Sequence, residues 1–242
     1  ADSGRTWSLA QGEQATPLAC RHGGWVEPAT TLPNVPESRC DVVAFDLDGV
    51  LLDADIHFTC LNAALAPYNT QISRAEHEST FNGLPTAVKL RMLTDLGRLP
   101  ADVHPKVFER KQALTLNALS RILETADDRN REMFLEVRER GLRTAVVTNA
   151  VRATLDAFLV GDDLSDLVDA SVAGDEVARA KPSPDCYLRT AELLGVQPRQ
   201  MLAIEDNHHG IESAQAAGCR VLVVSAPRTF TALDVLAAAN AH

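Results

Sequence analysis

The chain has 242 residues, of which 45% are apolar, and this is enough to bury the core of one ordinary domain with an insertion. Its formal net charge of −10, without any run of Lys or Arg, argues against nucleic acid or a membrane surface as a partner. No stretch of roughly 18 apolar residues is present to cross a bilayer, and the five scattered cysteines form no CxxC pair, so we expect a cytoplasmic protein.

The first segment, residues 1–40, differs from the rest of the chain in composition. It holds both tryptophans, Trp7 and Trp25, together with several prolines and a Gly23-Gly24 pair, and it shows no sustained apolar period. This pattern predicts an irregular N-terminal extension, either solvated or packed on the core or on a partner through its tryptophans.

Short apolar runs that end in polar residues begin after residue 40 and predict buried strands. The runs cover residues 42–46, 144–148, 170–173, 201–205 and 221–224. Helical stretches lie between or after them, at 151–159, 184–194 and 210–217. This alternation predicts an α/β fold with a doubly wound, Rossmann-like parallel sheet.

A large insertion interrupts that alternation after the first strand. Residues 57–123 show helical spacing and no strand-like run, with breaks near Asn69, Gly83 and Pro100. We therefore predict a helical cap at 55–128, inserted into a catalytic core formed by 41–54 and 129–242.

Polar residues at the ends of the predicted strands are the first candidates for chemistry, because ligands of open α/β sheets bind at the carboxyl ends of the strands. These residues, with a lysine that follows the run at 170–173, are Asp46, Asp48, Thr148, Asn149, Lys181, Glu205 and Asp206. Four carboxylates at one sheet edge would repel one another without a bound cation. An all-oxygen ligand set of this kind favours Mg²⁺.

Four motifs in order resemble those of the haloacid dehalogenase-like hydrolase superfamily: DLDGV, VTN, the lysine before PSPD, and EDNHHGIESAQAAG. The resemblance covers about residues 41 to 225 and includes a cap after the first motif, as in the subgroup with a helical cap. The most similar members are sugar-phosphate and phosphoglycolate-type phosphatases and β-phosphoglucomutases. The resemblance therefore implies a phosphoryl-transfer enzyme that acts on a small phosphorylated metabolite.

The resemblance also implies roles for individual residues. Asp46 would attack phosphorus and Asp48 would act as general acid and then general base, while Thr148, Asn149 and Lys181 would bind the phosphoryl group. The implied Mg²⁺ ligands are the Asp46 side chain, the Asp48 carbonyl and Asp206, with Glu205 nearby in a supporting role.

A cap loop at residues 81–93 is expected to close over the site and to influence substrate choice. Its candidate contacts, with a histidine at the start of the first cap helix, are His57, Asn82, Gly83, Thr86 and Lys89. Related cap loops often carry an arginine where this chain has Thr86 and Ala87. Its absence favours a phosphatase over a mutase, which needs a second phosphate clamp, although Lys89 or Arg91 would be available as a substitute.

Four alternatives to a phosphatase remain at this stage. They are a β-phosphoglucomutase-like phosphosugar mutase, a non-catalytic sensor of a phosphorylated ligand, a dehalogenase, for which Asp48 is unfavourable, and a phosphonatase that uses Lys89. The sequence leaves the metabolite and the oligomeric state open.

Overall fold

A seven-stranded sheet lies at the centre of the computed structural model, which describes residues 6–11, 14–19, 39–225 and 229–241. Its strands are β1 (Thr6–Gln11), β2 (Gln14–Ala19), β3 (Val42–Phe45), β4 (Arg143–Val147), β5 (Ala170–Val172), β6 (Met201–Glu205) and β7 (Arg220–Val223). The spatial order is β2-β1-β7-β6-β3-β4-β5, and the strands from β3 to β7 are parallel. The parallel core that the sequence predicts is confirmed.

Helices surround this sheet and form the inserted segment. They are α1 (Asp55–Leu65), α2 (Arg74–Glu76), α3 (Thr86–Asp95), α4 (His104–Leu123), α5 (Arg129–Glu139), α6 (Arg152–Gly161), α7 (Asp185–Leu194), α8 (His208–Ala217) and α9 (Ala232–Asn240). No helix in the described part of the chain is both long and apolar enough to span a membrane.

The alternation of side chains along the strands divides the core into two layers. In β3, Val43 and Phe45 contact one layer, which includes α5, α6 and α9, whereas Val42 and Ala44 contact the other, which includes α7 and α8. Successive residues of a strand point to opposite faces, so a strand buried on both faces must be apolar throughout. The polar residue that follows β3, Asp46, is therefore placed at the sheet edge.

Helices α1 to α4 lie in the region where the sequence predicts a cap, and α1, α3 and α4 share a separate apolar cluster. Its members include Leu65, Phe81, Leu90 and Val107, each no more than 2% exposed. A π-helical turn at His77–Phe81 extends α2, and Gly83 follows it with φ of +74°, a value that favours glycine. The proposed boundaries of the cap, 55 and 128, remain a prediction.

The N-terminal segment differs from the irregular extension that the sequence predicts. Strands β1 and β2 form an antiparallel hairpin, and β1 pairs with β7 at the sheet edge through Ser8–Val223, Leu9–Leu222 and Ala10–Val221. The second partner of β1, strand β7, lies far away in the chain, and local periodicity does not reveal such a pairing. Residues 20–38, Trp25 included, lie outside the described residues, and whether they pack on the core remains a prediction.

Candidate active site

The first acidic pair lies in a tight turn directly after β3. The Asp46 amide donates to the Ile204 carbonyl at 3.0 Å and so continues the pairing with β6. Gly49, at φ +94°, lets the turn approach Asp206, because a Cβ at this position would lie 2.0 Å from Asp206 Oδ2. The backbone thus brings Asp46, Asp48 and Asp206 to one place.

Lys181 connects three of the strand ends through its ammonium group. Nζ donates to Asp46 Oδ1 at 2.7 Å, to Glu205 Oε1 at 2.6 Å and to the Val147 carbonyl at 2.7 Å. Although the burial of Lys181 opposes the charge, the two carboxylates raise its pKa above the ordinary value. A permanent positive charge therefore lies against the Asp46 carboxylate.

Glu205 is fully buried beneath this lysine and is fixed from two sides. Its Oε1 also accepts a hydrogen bond from the Tyr187 hydroxyl at 2.6 Å. Gly210 leaves room for the carboxylate, since a Cβ there would lie 1.9 Å from Oε2. Within the described residues, Oε2 has no hydrogen-bond partner.

Three carboxylates, those of Asp46, Glu205 and Asp206, offer oxygen atoms that lie within 4.8 Å of one another. Burial raises the pKa of Glu205 to about 8 and that of Asp206 to about 7, and the charge of Asp46 contributes to both shifts. A bound cation would lower both pKa values, because it would favour the ionised carboxylates. The buried, unpartnered Oε2 and this all-oxygen donor set fit a hard divalent cation such as Mg²⁺.

Asp48 is held by a chain of hydrogen bonds that leads into the cap. His57 Nε2, on α1, lies 2.8 Å from Asp48 Oδ1, and Lys111 Nζ, on α4, lies 2.8 Å from His57 Nδ1. Burial lowers the pKa of His57. The charge of Asp48 raises this pKa, and the charge of Lys111 lowers it further. Burial would raise the pKa of Asp48, but His57, Lys111 and Lys89 together lower it.

Thr148 and Asn149 follow β4 at the same edge. The Thr148 hydroxyl accepts from the Ala150 amide at 3.0 Å, which leaves its own proton available for a ligand oxygen. The Asn149 side chain instead bridges two segments: Nδ2 donates to the Gly83 carbonyl at 2.8 Å, and Oδ1 accepts from the Lys181 amide at 2.9 Å. Asn149 thereby joins the cap loop to the core.

A pocket between cap and core brings most of the predicted residues together. Predicted residues that line it are Asp46, Asp48, His57, Asn82, Gly83, Thr86, Lys89, Thr148, Asn149 and Lys181. Glu205 and Asp206 lie beside Asp46 but do not line this pocket. Arg91, which the sequence offers as a substitute clamp, is exposed on α3 and is not among the residues that line this pocket.

Sequence reasoning missed four polar residues of the site, namely His77, Lys111, Tyr187 and Asn207. His77, Lys111 and Asn207 line the pocket, and Tyr187 contacts Glu205. Lys111 sits among apolar positions of α4, with Val107 and Leu119 on the same buried side. A lysine on the buried face of an amphipathic helix is unusual, and this pattern could have identified Lys111 from the sequence.

Comparisons with known proteins agree with this arrangement. The family profile described as haloacid dehalogenase-like hydrolase matches residues 43–224. The protein CbbY of Rhodobacter capsulatus is 28% identical over 218 residues, which cover 81% of this chain and 89% of that protein. The fructose-1-phosphate phosphatase YqaB of Escherichia coli (strain K12) is 30% identical over 175 residues, which cover 72% of this chain and 90% of that protein.

A solved structure gives the same fold at lower identity. The β-phosphoglucomutase of Clostridium difficile superposes with a TM-score of 0.71 and 18% identity, covering 83% of this chain and 97% of that one. The likeness extends over both the parallel-sheet core and the helical insertion of this chain. At this identity it speaks for the fold alone.

Proposed function

The chain belongs to the haloacid dehalogenase-like hydrolase family, and we propose that it is a Mg²⁺-dependent phosphatase that hydrolyses a small phosphorylated metabolite through an aspartyl-phosphate. One observation carries the proposal. The Asp46 carboxylate is ion-paired to the buried Lys181 at 2.7 Å, while Asp48, two positions on, lines the same pocket. This arrangement supports Asp46 as the nucleophile and Asp48 as the proton carrier, beside one cationic group.

In the first step, an Asp46 oxygen forms a bond to phosphorus and the ester P–O bond breaks. The departing alkoxide takes the proton that Asp48 carries. The lowered pKa of Asp48 opposes protonation in the free protein, but a phosphoryl group bound beside it adds negative charge and raises that pKa. Asp48 then acts as the general acid.

In the second step, ionised Asp48 removes a proton from water, and the water oxygen attacks the phosphorus of the aspartyl-phosphate. The bond between phosphorus and Asp46 breaks, and inorganic phosphate leaves. Asp48 is ionised at the start of this step because it has given its proton to the alkoxide, so it can accept a proton again.

Lys181 and Thr148 support both steps by stabilising charge. Lys181 offers a fixed positive charge beside Asp46, and Thr148 offers a hydroxyl donor at the same edge. Asp46, Asp206 and the Asp48 carbonyl would hold Mg²⁺, with Glu205 nearby in a supporting role through its contact with Lys181. The bound cation would neutralise negative charge on the phosphoryl oxygens.

Release of inorganic phosphate tests this proposal directly. Purified protein is incubated with p-nitrophenyl phosphate and with a panel of sugar phosphates, phosphoglycolate and nucleotides, with Mg²⁺ or with a chelator. We expect Mg²⁺-dependent release that the Asp46→Asn variant lacks. Binding of phosphorylated ligands without any turnover would instead indicate a sensor.

A phosphosugar mutase is the second candidate, and Lys89 is the observation that favours it. This cap lysine lines the pocket and is 6% exposed, so the cap does present a cation. However, a lysine is a point charge and lacks the planar fork with which arginine binds phosphate through two hydrogen bonds. We therefore retain the phosphatase as the principal proposal.

A further inference from the structure

Asn207 connects a carboxylate at a strand end to the start of a helix. It follows Asp206 directly after β6, caps the N-terminus of α8 and lines the pocket. Its Oδ1 accepts from the amides of His209 and Gly210, each at 3.1 Å. Its Nδ2 donates to Asp206 Oδ1 at 2.7 Å. One side-chain amide therefore holds a helix end and a carboxylate at the same time.

These contacts fix which end of the Asn207 amide faces the carboxylate. Backbone N–H groups only donate and an ionised carboxylate only accepts, so turning the amide around would break both sets of hydrogen bonds. A serine would cap α8 equally well, but its side chain ends one atom earlier and carries no amide. The asparagine thus supplies more than a helix cap requires.

The hydrogen bond from Asn207 determines how the Asp206 carboxylate is oriented. The terminal torsion of an aspartate has a broad, roughly two-fold preference, so the side chain alone does not fix the plane of its oxygens. With Oδ1 held, Oδ2 lies against the turn after β3, where a Cβ at Gly49 would be 2.0 Å from it. In this orientation Asp206 offers an oxygen within 4.8 Å of oxygens of Asp46 and Glu205.

The cap loop packs against the same Asn207 side chain. Gly83 approaches it so closely that a Cβ at Gly83 would lie 2.6 Å from Oδ1 and 3.4 Å from Nδ2. The Gly83 carbonyl also accepts from Asn149, which holds the loop in this place. The amide of Asn207 is therefore confined by α8, by Asp206 and by the loop.

From these contacts we propose that Asn207 is a positioning residue of the cation site, which holds the Asp206 carboxylate in the orientation that binds Mg²⁺. The inference rests on the cation site of the proposed function and does not require turnover. Removing a group that orients a metal ligand typically weakens metal binding by about 10- to 100-fold. Asn207 acts on the reaction through Asp206.

Capping of α8 alone is the competing explanation, because an N-cap asparagine stabilises a helix whatever lies beside it. The variant Asn207→Ser separates the two roles, since serine keeps the cap and removes the amide donor. If capping were the whole role, this variant would keep both its melting temperature and its Mg²⁺ affinity. A positioning role predicts that the melting temperature stays close to that of the wild type while the affinity falls.

The experiment measures Mg²⁺ binding to the full chain by calorimetry, together with the melting temperature of the metal-free protein. We expect Asn207→Ser to weaken Mg²⁺ binding by roughly tenfold. The Mg²⁺ concentration for half-maximal phosphate release should rise by the same factor, while kcat at saturating Mg²⁺ stays close to the wild-type value. The control is Thr231→Ala, which removes the side-chain cap of α9. It should lower the melting temperature and leave the Mg²⁺ affinity unchanged.

A double-mutant cycle with Asp206→Ala shows whether Asn207 acts through that carboxylate. In the Asp206→Ala protein, Asn207→Ser should cause no further loss of Mg²⁺ affinity. An equal loss in both backgrounds, an unchanged affinity in Asn207→Ser, or a wild type that binds no Mg²⁺ would overturn the inference. Weakened binding in Asn207→Ser, combined with a wild type that releases phosphate from no ester, would overturn the phosphatase proposal and leave the role of Asn207 supported.

Discussion

Nε2 of His57 lies 2.8 Å from Oδ1 of Asp48, and this contact fixes the tautomer of the imidazole. The Lys111 ammonium has only protons to offer, so His57 Nδ1 must accept from it. Nε2 therefore carries the proton and donates it to the Asp48 carboxylate. A cap residue thus controls the orientation and the basicity of the predicted acid/base group.

Replacing His57 tests this relationship. We predict that His57→Ala lowers kcat by roughly 10- to 100-fold, a part of what a general acid/base group contributes. Loss of the hydrogen bond should also raise the pKa of Asp48, so the alkaline limb of the kcat/KM profile, which requires Asp48 in its protonated form, should move to higher pH. Exposed His208 provides the matched control, His208→Ala. A variant with an unchanged rate and an unchanged pH profile would show that the contact is only structural.

The nucleophile is tested by Asp46→Asn, which should abolish turnover because an amide cannot form the acyl-phosphate. Lys181 keeps its second carboxylate partner, Glu205, so the fold should remain intact. Phosphate release and the melting temperature are measured together. Asp53→Asn, an exposed carboxylate in the neighbouring loop, serves as the control. Residual activity in protein free of wild-type contamination would mean that another group attacks phosphorus.

The cation requirement is tested by metal titration. Activity should need Mg²⁺, disappear with a chelator, and recover poorly with Ca²⁺, whose larger and looser coordination misplaces the reacting atoms. Asp206→Ala should increase the Mg²⁺ concentration needed for half-maximal activity by roughly tenfold or more. It should also weaken Mg²⁺ binding in calorimetry, which does not depend on turnover. Asp102→Ala removes an exposed charge of the cap and should change neither measurement.

Hydrolysis and isomerisation are distinguished with β-glucose 1-phosphate and a trace of the bisphosphate. We predict phosphate release and little glucose 6-phosphate, because a mutase must hold the bisphosphate in both orientations. The cap offers Lys89 but no planar fork at Thr86 or Ala87. Rapid formation of glucose 6-phosphate without net phosphate release would identify a mutase, with Lys89 as its second clamp.

The core part of the site was predictable because its residues end parallel strands. Asp46, Thr148 and Glu205 each follow or complete an apolar run, and parallel topology brings their strand ends to one sheet edge. Lys181 was a candidate because it follows the run at 170–173, and the resemblance in motif order added the roles of these residues. The cap has neither parallel strand ends nor a motif that identifies its site residues. Which side of each cap helix faces the core depends on tertiary packing.

Lys111 and His77 illustrate this limit. Both lie on helical segments whose periodicity predicts a buried face, but not which neighbour that face will meet. The N-terminal hairpin is a second example, because it joins the sheet through the pairing of β1 with β7, more than 200 residues away in the chain. A substrate contact of His57 remains a prediction: the residue lines the pocket and is hydrogen-bonded to Asp48, a contact that the sequence does not reveal.

Asn149 uses opposite ends of one amide to hold the cap loop through Gly83 and the backbone of Lys181. The free energies of ligand binding and of loop docking are therefore coupled. A ligand that stabilises Lys181 in this position favours docking of the loop, and docking of the loop favours binding of that ligand by the same amount. Inorganic phosphate, although too small to bridge the pocket, should therefore shift the cap toward the core. Product and substrate would then shift the same conformational equilibrium, and the docked loop would strengthen the competition of phosphate with substrate.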